Sequence, residues 1–158
     1  MRLEIDGRYS NIKFSACHFI AGHARCGKLH GHVYVVRLIL YGEKGENGMI
    51  MDFIDLKRAL RRITEEFDHR VLLPGSSTRV ILEDKGDEIE ARIDGKRYVF
   101  PKEDILILDI SESSAEEIAE TMLKRVIEEV DFPPNISRIE VGVDEERGQS
   151  AWVSRDLR

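Results

Sequence analysis

Residues 31–42, Gly-His-Val-Tyr-Val-Val-Arg-Leu-Ile-Leu-Tyr-Gly, constrain the fold more than any other stretch. The run is rich in β-branched and aromatic residues and has no proline, so it reads as one long strand. Its entrance is His30-Gly31-His32. On a strand, residues i and i+2 point to the same face. Two imidazoles therefore stand side by side at one end of this strand, well placed for a single cation.

The rest of the chain supplies partners for it. Residues 2–19 read as extended, with Leu3, Ile5, Ile12, Phe14 and Ala16 alternating with polar neighbours around a turn at Asp6-Gly7. Residues 20–29 carry Gly22 and Gly27 and read as a loop. Glu46-Asn47-Gly48 is a turn signal, and Met49–Met51 is expected to return from it as a short strand. Asp52 can cap a helix over 53–67, where Ile54, Leu56, Leu60, Ile63 and Phe67 repeat at helical spacing. Four more strands are expected at 79–82, 88–93, 97–100 and 105–108, with Asp94-Gly95 as a two-residue hairpin turn. Ser114 and Glu117 form a capping box for a second helix over 115–130. Strands at 136–143 and 149–153 complete the chain. The order lacks a strict βαβα alternation, which favours an α+β fold: an antiparallel sheet with two helices packed on one face.

A chain of 158 residues suits one domain, here 1–158, and can bury a core without staples. The formal net charge is −6, so a nucleic-acid partner is not expected. No apolar run approaches the ~18–20 residues that span a bilayer. The first six residues lack the apolar stretch of a signal peptide. Two cysteines, Cys17 and Cys26, do not make a secreted disulfide framework. These features lead us to expect a cytoplasmic protein without a membrane partner.

Four of the five histidines, His18, His23, His30 and His32, fall within fifteen residues. His18 ends the first extended segment and reaches His30 and His32 if the two strands pair. Three imidazoles with one open position make a catalytic type of zinc site, although iron or nickel also accept such a set. Cys26 is either a fourth ligand that closes the site or a thiolate beside it, its pKa lowered by the cations Arg25 and Lys28. Cys17, on a strand, reads as a buried small hydrophobe. Arg25 and Lys28 can also attract a phosphate. Asp68-His69 can form an orienting pair for a proton-transferring imidazole. Glu145, at a strand end, can grip the amino and ring N–H groups of a heterocycle.

Taken together, these residues resemble the 6-pyruvoyl-tetrahydropterin synthase / 6-carboxy-tetrahydropterin synthase family. The resemblance rests on Phe14-Ser15-Ala16-Cys17-His18, Cys26-Gly27-Lys28-Leu29-His30-Gly31-His32, Met51–Lys57, Asp68-His69, Ser113–Glu116 and Val141–Glu145, across roughly 8–74 and 109–153. It implies the tunnelling fold, assembled as a homohexamer (a dimer of trimers) with active sites at subunit interfaces. It implies Zn2+ on His18, His30 and His32, Cys26 as general base, Asp68 and His69 as a proton relay, and Glu145 as anchor of a pterin ring. Ser114, Arg25 and Lys28 would be further substrate contacts, the cations for the phosphates of 7,8-dihydroneopterin triphosphate. The motif around Cys26 leans towards a lyase forming 6-carboxy-5,6,7,8-tetrahydropterin. Alternatives are a 6-pyruvoyl-forming or a 6-hydroxymethyl-forming relative and, from another class, a non-catalytic metal- or pterin-binding module. The sequence departs from the family pattern in three places. Val33 follows His32 where Asn is frequent, Ala115 stands where a hydroxyl is common, and 75–108 is a β-rich insertion relative to short bacterial members.

Overall fold

The computed structural model describes residues 1–158. Strands β1 (Arg2–Asp6) and β2 (Lys13–His18) flank a single helical turn, α1 (Gly7–Ser10), capped by the Asp6 carboxylate. Both lie along one edge of the long strand β3 (His30–Gly42). β1 takes the C-terminal half of that edge, with Leu3 opposite Leu40, and β2 takes the N-terminal half, with Phe14 opposite Tyr34. The other edge of β3 pairs with β9 (Ile136–Glu146), which pairs in turn with β10 (Gln149–Asp156).

Alternation along β3 sets the packing. Tyr34, Val36, Leu38 and Leu40 point to one face and are fully buried. Over that face lie α2 (Phe53–Phe67) and α3 (Ala115–Glu129), which bury Leu56, Leu60, Ile63, Phe67, Ile118, Met122 and Val126 in the same core. Asp52 caps α2 through the Ile54 N–H at 2.7 Å. Ser114 caps α3 by accepting from the Glu117 N–H at 3.4 Å. The return half of the capping box is not made, because the Glu117 carboxylate accepts from the Ser111 hydroxyl instead.

The antiparallel core of the sheet matches the sequence reading, and two parallel strands extend it. β4 (Arg70–Pro74) runs parallel to β2, and β8 (Ile105–Leu108) runs parallel to β4. The full order is β10-β9-β3-β2-β4-β8, with β1 beside β3. β4 has no signal in the sequence because Val71-Leu72-Leu73 is a short unalternating run buried between neighbours. The strand expected at Met49–Met51 does not form. Backbone groups there are satisfied by a compact turn, Gly45 N–H to the Met49 carbonyl at 2.8 Å, and by the Asn135 side chain on the Ile50 carbonyl at 2.9 Å.

Between β4 and β8 the chain builds a separate antiparallel sheet from β5 (Ile81–Asp84), β6 (Glu88–Ile93) and β7 (Lys96–Pro101). Asp94 and Gly95 both take positive φ (49° and 76°), as a two-residue primed turn requires. This sheet has its own apolar cluster, made of Val80, Ile89, Ala91 and Ile93 packed on Leu73 and on Phe19 and Ala21, which follow β2. No helix is long and apolar enough to cross a membrane.

Candidate active site

The core-facing row of β3 changes character at one end. Leu40, Leu38, Val36 and Tyr34 are succeeded by His32 and His30 on the same face. The β2 row does the same, Phe14 and Ala16 giving way to His18. Register places Ala16 opposite His32 and His18 opposite His30. One ring nitrogen from each of His18, His30 and His32 lies within 4.8 Å of the others. This cluster comprises three imidazoles, with Cys26 outside it.

Hydrogen bonding fixes how the rings present themselves. His18 Nδ1 lies 2.6 Å from the Ser113 carbonyl oxygen, and His30 Nδ1 lies 2.7 Å from that of Lys28. A carbonyl only accepts, so each Nδ1 carries a proton and donates it, and in the neutral ring Nε2 keeps a free lone pair. His32 Nδ1 sits 3.4 Å from a Glu146 carboxylate oxygen. His18 is 1% exposed. Burial, aided by the neighbouring His30 and His32, drives its pKa down to about 4, so the ring is neutral at physiological pH. The Nε2 atoms of His18 and His32 are buried without a hydrogen-bond partner. An orphaned buried acceptor costs about 1–3 kcal/mol, which a coordinated cation removes. Three clustered imidazoles with outward Nδ1 neighbours, two of them with orphaned inner nitrogens, fit a zinc ion.

The cluster lies in a cleft of about 970 Å³. The β2–β3 loop supplies His23, Arg25, Cys26 and Lys28, the start of α3 supplies Ser114, Ala115 and Glu116, and the end of β9 supplies Glu145 and Glu146. Glu145 Oε1 is 3.5 Å from His18 Nε2 and 3.8 Å from His32 Nε2. The buried Tyr34 hydroxyl donates to the same oxygen at 3.5 Å. Burial and then the Glu145 charge hold the Tyr34 pKa above the ordinary tyrosine value, so the phenol stays a donor. The cleft therefore brings together His18, His30, His32, Cys26, Arg25, Lys28, Ser114 and Glu145.

Asp68 and His69 do not line it. Asp68 Oδ1 accepts from the Ser15 N–H at 2.7 Å, and Oδ2 accepts from His69 Nδ1 at 2.8 Å. The Ser15 backbone bond, with the His69 contact, holds the Asp68 carboxyl below the usual carboxylate range. His69 takes a left-handed backbone (φ 58°), and its side chain is 83% exposed. The pair is formed, but neither residue lines this protomer's cleft. Cys17 is exposed on the opposite face of β2 rather than buried, because its position alternates with Ala16 and His18.

Three cleft features escaped the sequence reading. His23 accepts from the Cys26 N–H at 2.9 Å, and its spacing three residues before Cys26 in a glycine-flanked loop is the available signal. Glu146 partners His32, and the Ser113 carbonyl partners His18. Backbone contacts leave no trace in residue type.

A family profile described as 6-pyruvoyl tetrahydropterin synthase matches residues 9–156. The chain belongs to this family. Within it, a Methanocaldococcus jannaschii protein described as "Putative 6-carboxy-5,6,7,8-tetrahydropterin synthase" is 34% identical over 161 residues, covering 99% of this chain and 98% of the relative. A Pyrococcus horikoshii protein of the same description is 29% identical over 151 residues, covering 94% and 90%. Among solved structures, the 6-pyruvoyltetrahydropterin synthase of Plasmodium vivax superposes with a TM-score of 0.93 at 32% identity, covering 99% of this chain and 98% of that one. The pterin synthase fold of this chain is thus matched from end to end.

Proposed function

We propose that the protein is a zinc-dependent lyase that converts 7,8-dihydroneopterin triphosphate to 6-carboxy-5,6,7,8-tetrahydropterin. The observation that carries this reading is the convergence of three imidazoles, a thiol and a carboxylate on one cleft in a chain of the pterin synthase family. The description of the M. jannaschii relative favours the 6-carboxy product.

His18, His30 and His32 would hold the ion, which when bound polarises oxygens of the substrate side chain as a Lewis acid. Glu145 grips the pterin ring through its amino and ring N–H groups, and the Tyr34 hydroxyl fixes that carboxylate. Arg25 and Lys28 supply positive charge for the phosphates in a chain of net charge −6. Ser114 offers a hydroxyl at the start of α3. The Cys26 thiolate takes a proton from the substrate side chain as general base. His69, oriented by Asp68, returns a proton from a neighbouring subunit, because its own cleft does not contain it. That division of labour supports a homohexamer with shared sites. Two free cysteines suit a reducing cytoplasm. A closed His3Cys binding module is less well supported, since Cys26 lies outside the imidazole cluster.

The test is a product assay. Zinc-loaded protein is incubated with 7,8-dihydroneopterin triphosphate, and products are identified by mass spectrometry, with Cys26→Ala as control. A 6-carboxy product lost in the variant is expected. A 6-pyruvoyl or 6-hydroxymethyl product moves the chain to another branch of the family, and absence of any product refutes the lyase reading.

A further inference from the structure

The loop that carries Cys26 runs from Phe19 to Leu29, between two strands that are direct neighbours in the sheet. A tight turn would connect them, so the added length serves the cleft rather than the topology. A free loop of this length samples many conformations and does not hold a thiol in one place. Cys26 is nevertheless pinned on both sides of its backbone. Its carbonyl accepts from the Ile20 N–H at 2.8 Å, and its N–H donates to His23 Nδ1 at 2.9 Å. Gly27 N–H then donates to the His23 carbonyl at 2.8 Å. These bonds make the loop rigid within itself. They do not fix it to the rest of the molecule.

Glu112 and Ser113 tie the loop's first residues, at the Ala21 N–H (3.1 Å) and the Phe19 carbonyl (2.9 Å), and the remaining attachment around Cys26 comes from the small second sheet. Phe19 and Ala21 are buried in its apolar cluster, and Phe19 stacks on Tyr98 of β7 with ring centroids 5.6 Å apart. Two polar ties then come from one turn, the tip of the β6–β7 hairpin. The Asp94 carboxylate accepts from the Gly22 N–H at 2.9 Å, and the Lys96 ammonium donates to the Gly27 carbonyl at 2.9 Å. Gly22 and Gly27 bracket Cys26. Neither Asp94 nor Lys96 lines the cleft. Their charged side chains lie at the surface, where solvent would satisfy them, yet they reach across to two backbone groups of one loop.

We infer that the β6–β7 hairpin is a clamp that positions Cys26, with Asp94 and Lys96 as positioning residues for its thiol. The inference rests on the reading of Cys26 as the base that meets substrate. The three imidazoles sit on β2 and β3, outside the clamped segment, and only His30 touches it, through the Lys28 carbonyl, so the clamp acts chiefly on the thiol. A reacting group displaced by about 1 Å can lose on the order of a hundredfold in rate, so two hydrogen bonds remote from the chemistry can matter.

The test uses the full-length zinc-loaded protein and the variants Asp94→Ala, Lys96→Met and the double substitution. Lys85→Met, on the same small sheet, controls for loss of surface charge. Three quantities are read: amide hydrogen exchange of residues 20–28, the rate of Cys26 alkylation by iodoacetamide (resolved from Cys17 by peptide mass), and kcat and KM. The double variant is expected to exchange residues 20–28 about tenfold faster and to alter the Cys26 alkylation rate. It should lose about tenfold in kcat, while KM, zinc content and Tm stay close to those of the control. Asp94→Asn and Lys96→Arg, which keep an acceptor and a donor, should restore wild-type behaviour. Unchanged exchange and alkylation in the double variant overturn the clamp, whatever the wild-type activity. Faster exchange with unchanged kcat overturns its role in positioning. If wild-type protein forms no product, the lyase reading falls on that result alone, and faster exchange still supports the hairpin as the restraint on the loop.

Discussion

The placement of His69 makes a numerical demand on mixed assemblies. Cys26 lines the cleft, whereas His69 is 83% exposed and lies outside it. On the proposed mechanism a working site takes its thiol from one subunit and its imidazole from another. Cys26→Ala and His69→Ala subunits, each inactive alone, are produced together under different tags, and assemblies containing both are isolated. With equal and random mixing, half of the clefts keep Cys26, and half of their neighbours supply an intact His69. The two draws fall on different subunits and are independent, so about a quarter of wild-type activity should return. Were both groups to act within one protomer, every cleft would carry one defect, and activity would stay at the parental background. The assay is turnover per subunit, with native mass spectrometry establishing that mixing occurred. Background activity in verified mixed assemblies would refute the shared site. Activity near one quarter would fix Cys26 and His69 on different chains.

Other consequences are read separately. His30→Ala should weaken zinc binding by more than the ~10–100-fold that loss of an outer partner costs, while Glu146→Gln, which alters only the partner of His32, should fall within that range; competition with a chromophoric chelator measures both. A Cβ at Gly142 would stand 2.5–2.7 Å from Trp152 ring atoms, and the indole would have to leave its place 4.9 Å from the Arg37 guanidinium. Gly142→Ala should therefore cost about 1–3 kcal/mol in urea melts followed by circular dichroism, and most of that cost should vanish in a Trp152→Ala background. Asp68 has its carboxyl held below the ordinary 3.8, so the stability it contributes is present above pH about 4 and is lost as pH falls through the lowered value. The stability advantage of wild type over Asp68→Asn should shrink below pH 4, and growth of that advantage on acidification would contradict the hydrogen-bond assignment.

How much could be read in advance depended on whether a feature repeats along the chain. β3 was legible because its residue types favour extended backbone over a long run. α2 and α3 were legible from apolar spacing with a cap at each start, Asp52 and Ser114. The Asp94-Gly95 turn was legible because two consecutive positive φ values restrict the residues that fit. β4 was not, since a short buried run bonded on both edges has no alternation to show. Met49–Met51 misled because a turn signal followed by apolar residues has the same composition whether or not a strand returns. The placement of Asp68 and His69 was opaque for another reason: adjacency in sequence forms the pair but says nothing of which cleft it faces. The ties from Asp94 and Lys96 to the loop were equally hidden, because their partners are backbone groups of Gly22 and Gly27.

The cleft and the core are made by the same alternation. On β3 the buried face runs Leu40, Leu38, Val36, Tyr34, His32, His30, and on β9 it runs Val141, Val143, Glu145. Towards the middle of the sheet, helices cover this face and apolar side chains fill it. Towards the end where β2 gives way to its loop, the face lies open to the cleft, and the same positions carry imidazole and carboxylate. The transition falls at Tyr34, whose ring stacks on Phe14 at 4.9 Å while its hydroxyl reaches Glu145. The β2–β3 ladder pairs His18 with His30 and Ala16 with His32, so the imidazoles inherit the order of the sheet and need few dedicated supports. The thiol has no such inheritance, because it stands on a loop. That difference accounts for where the second sheet is built: it packs against the residues that follow His18 and reaches the two glycines on either side of Cys26.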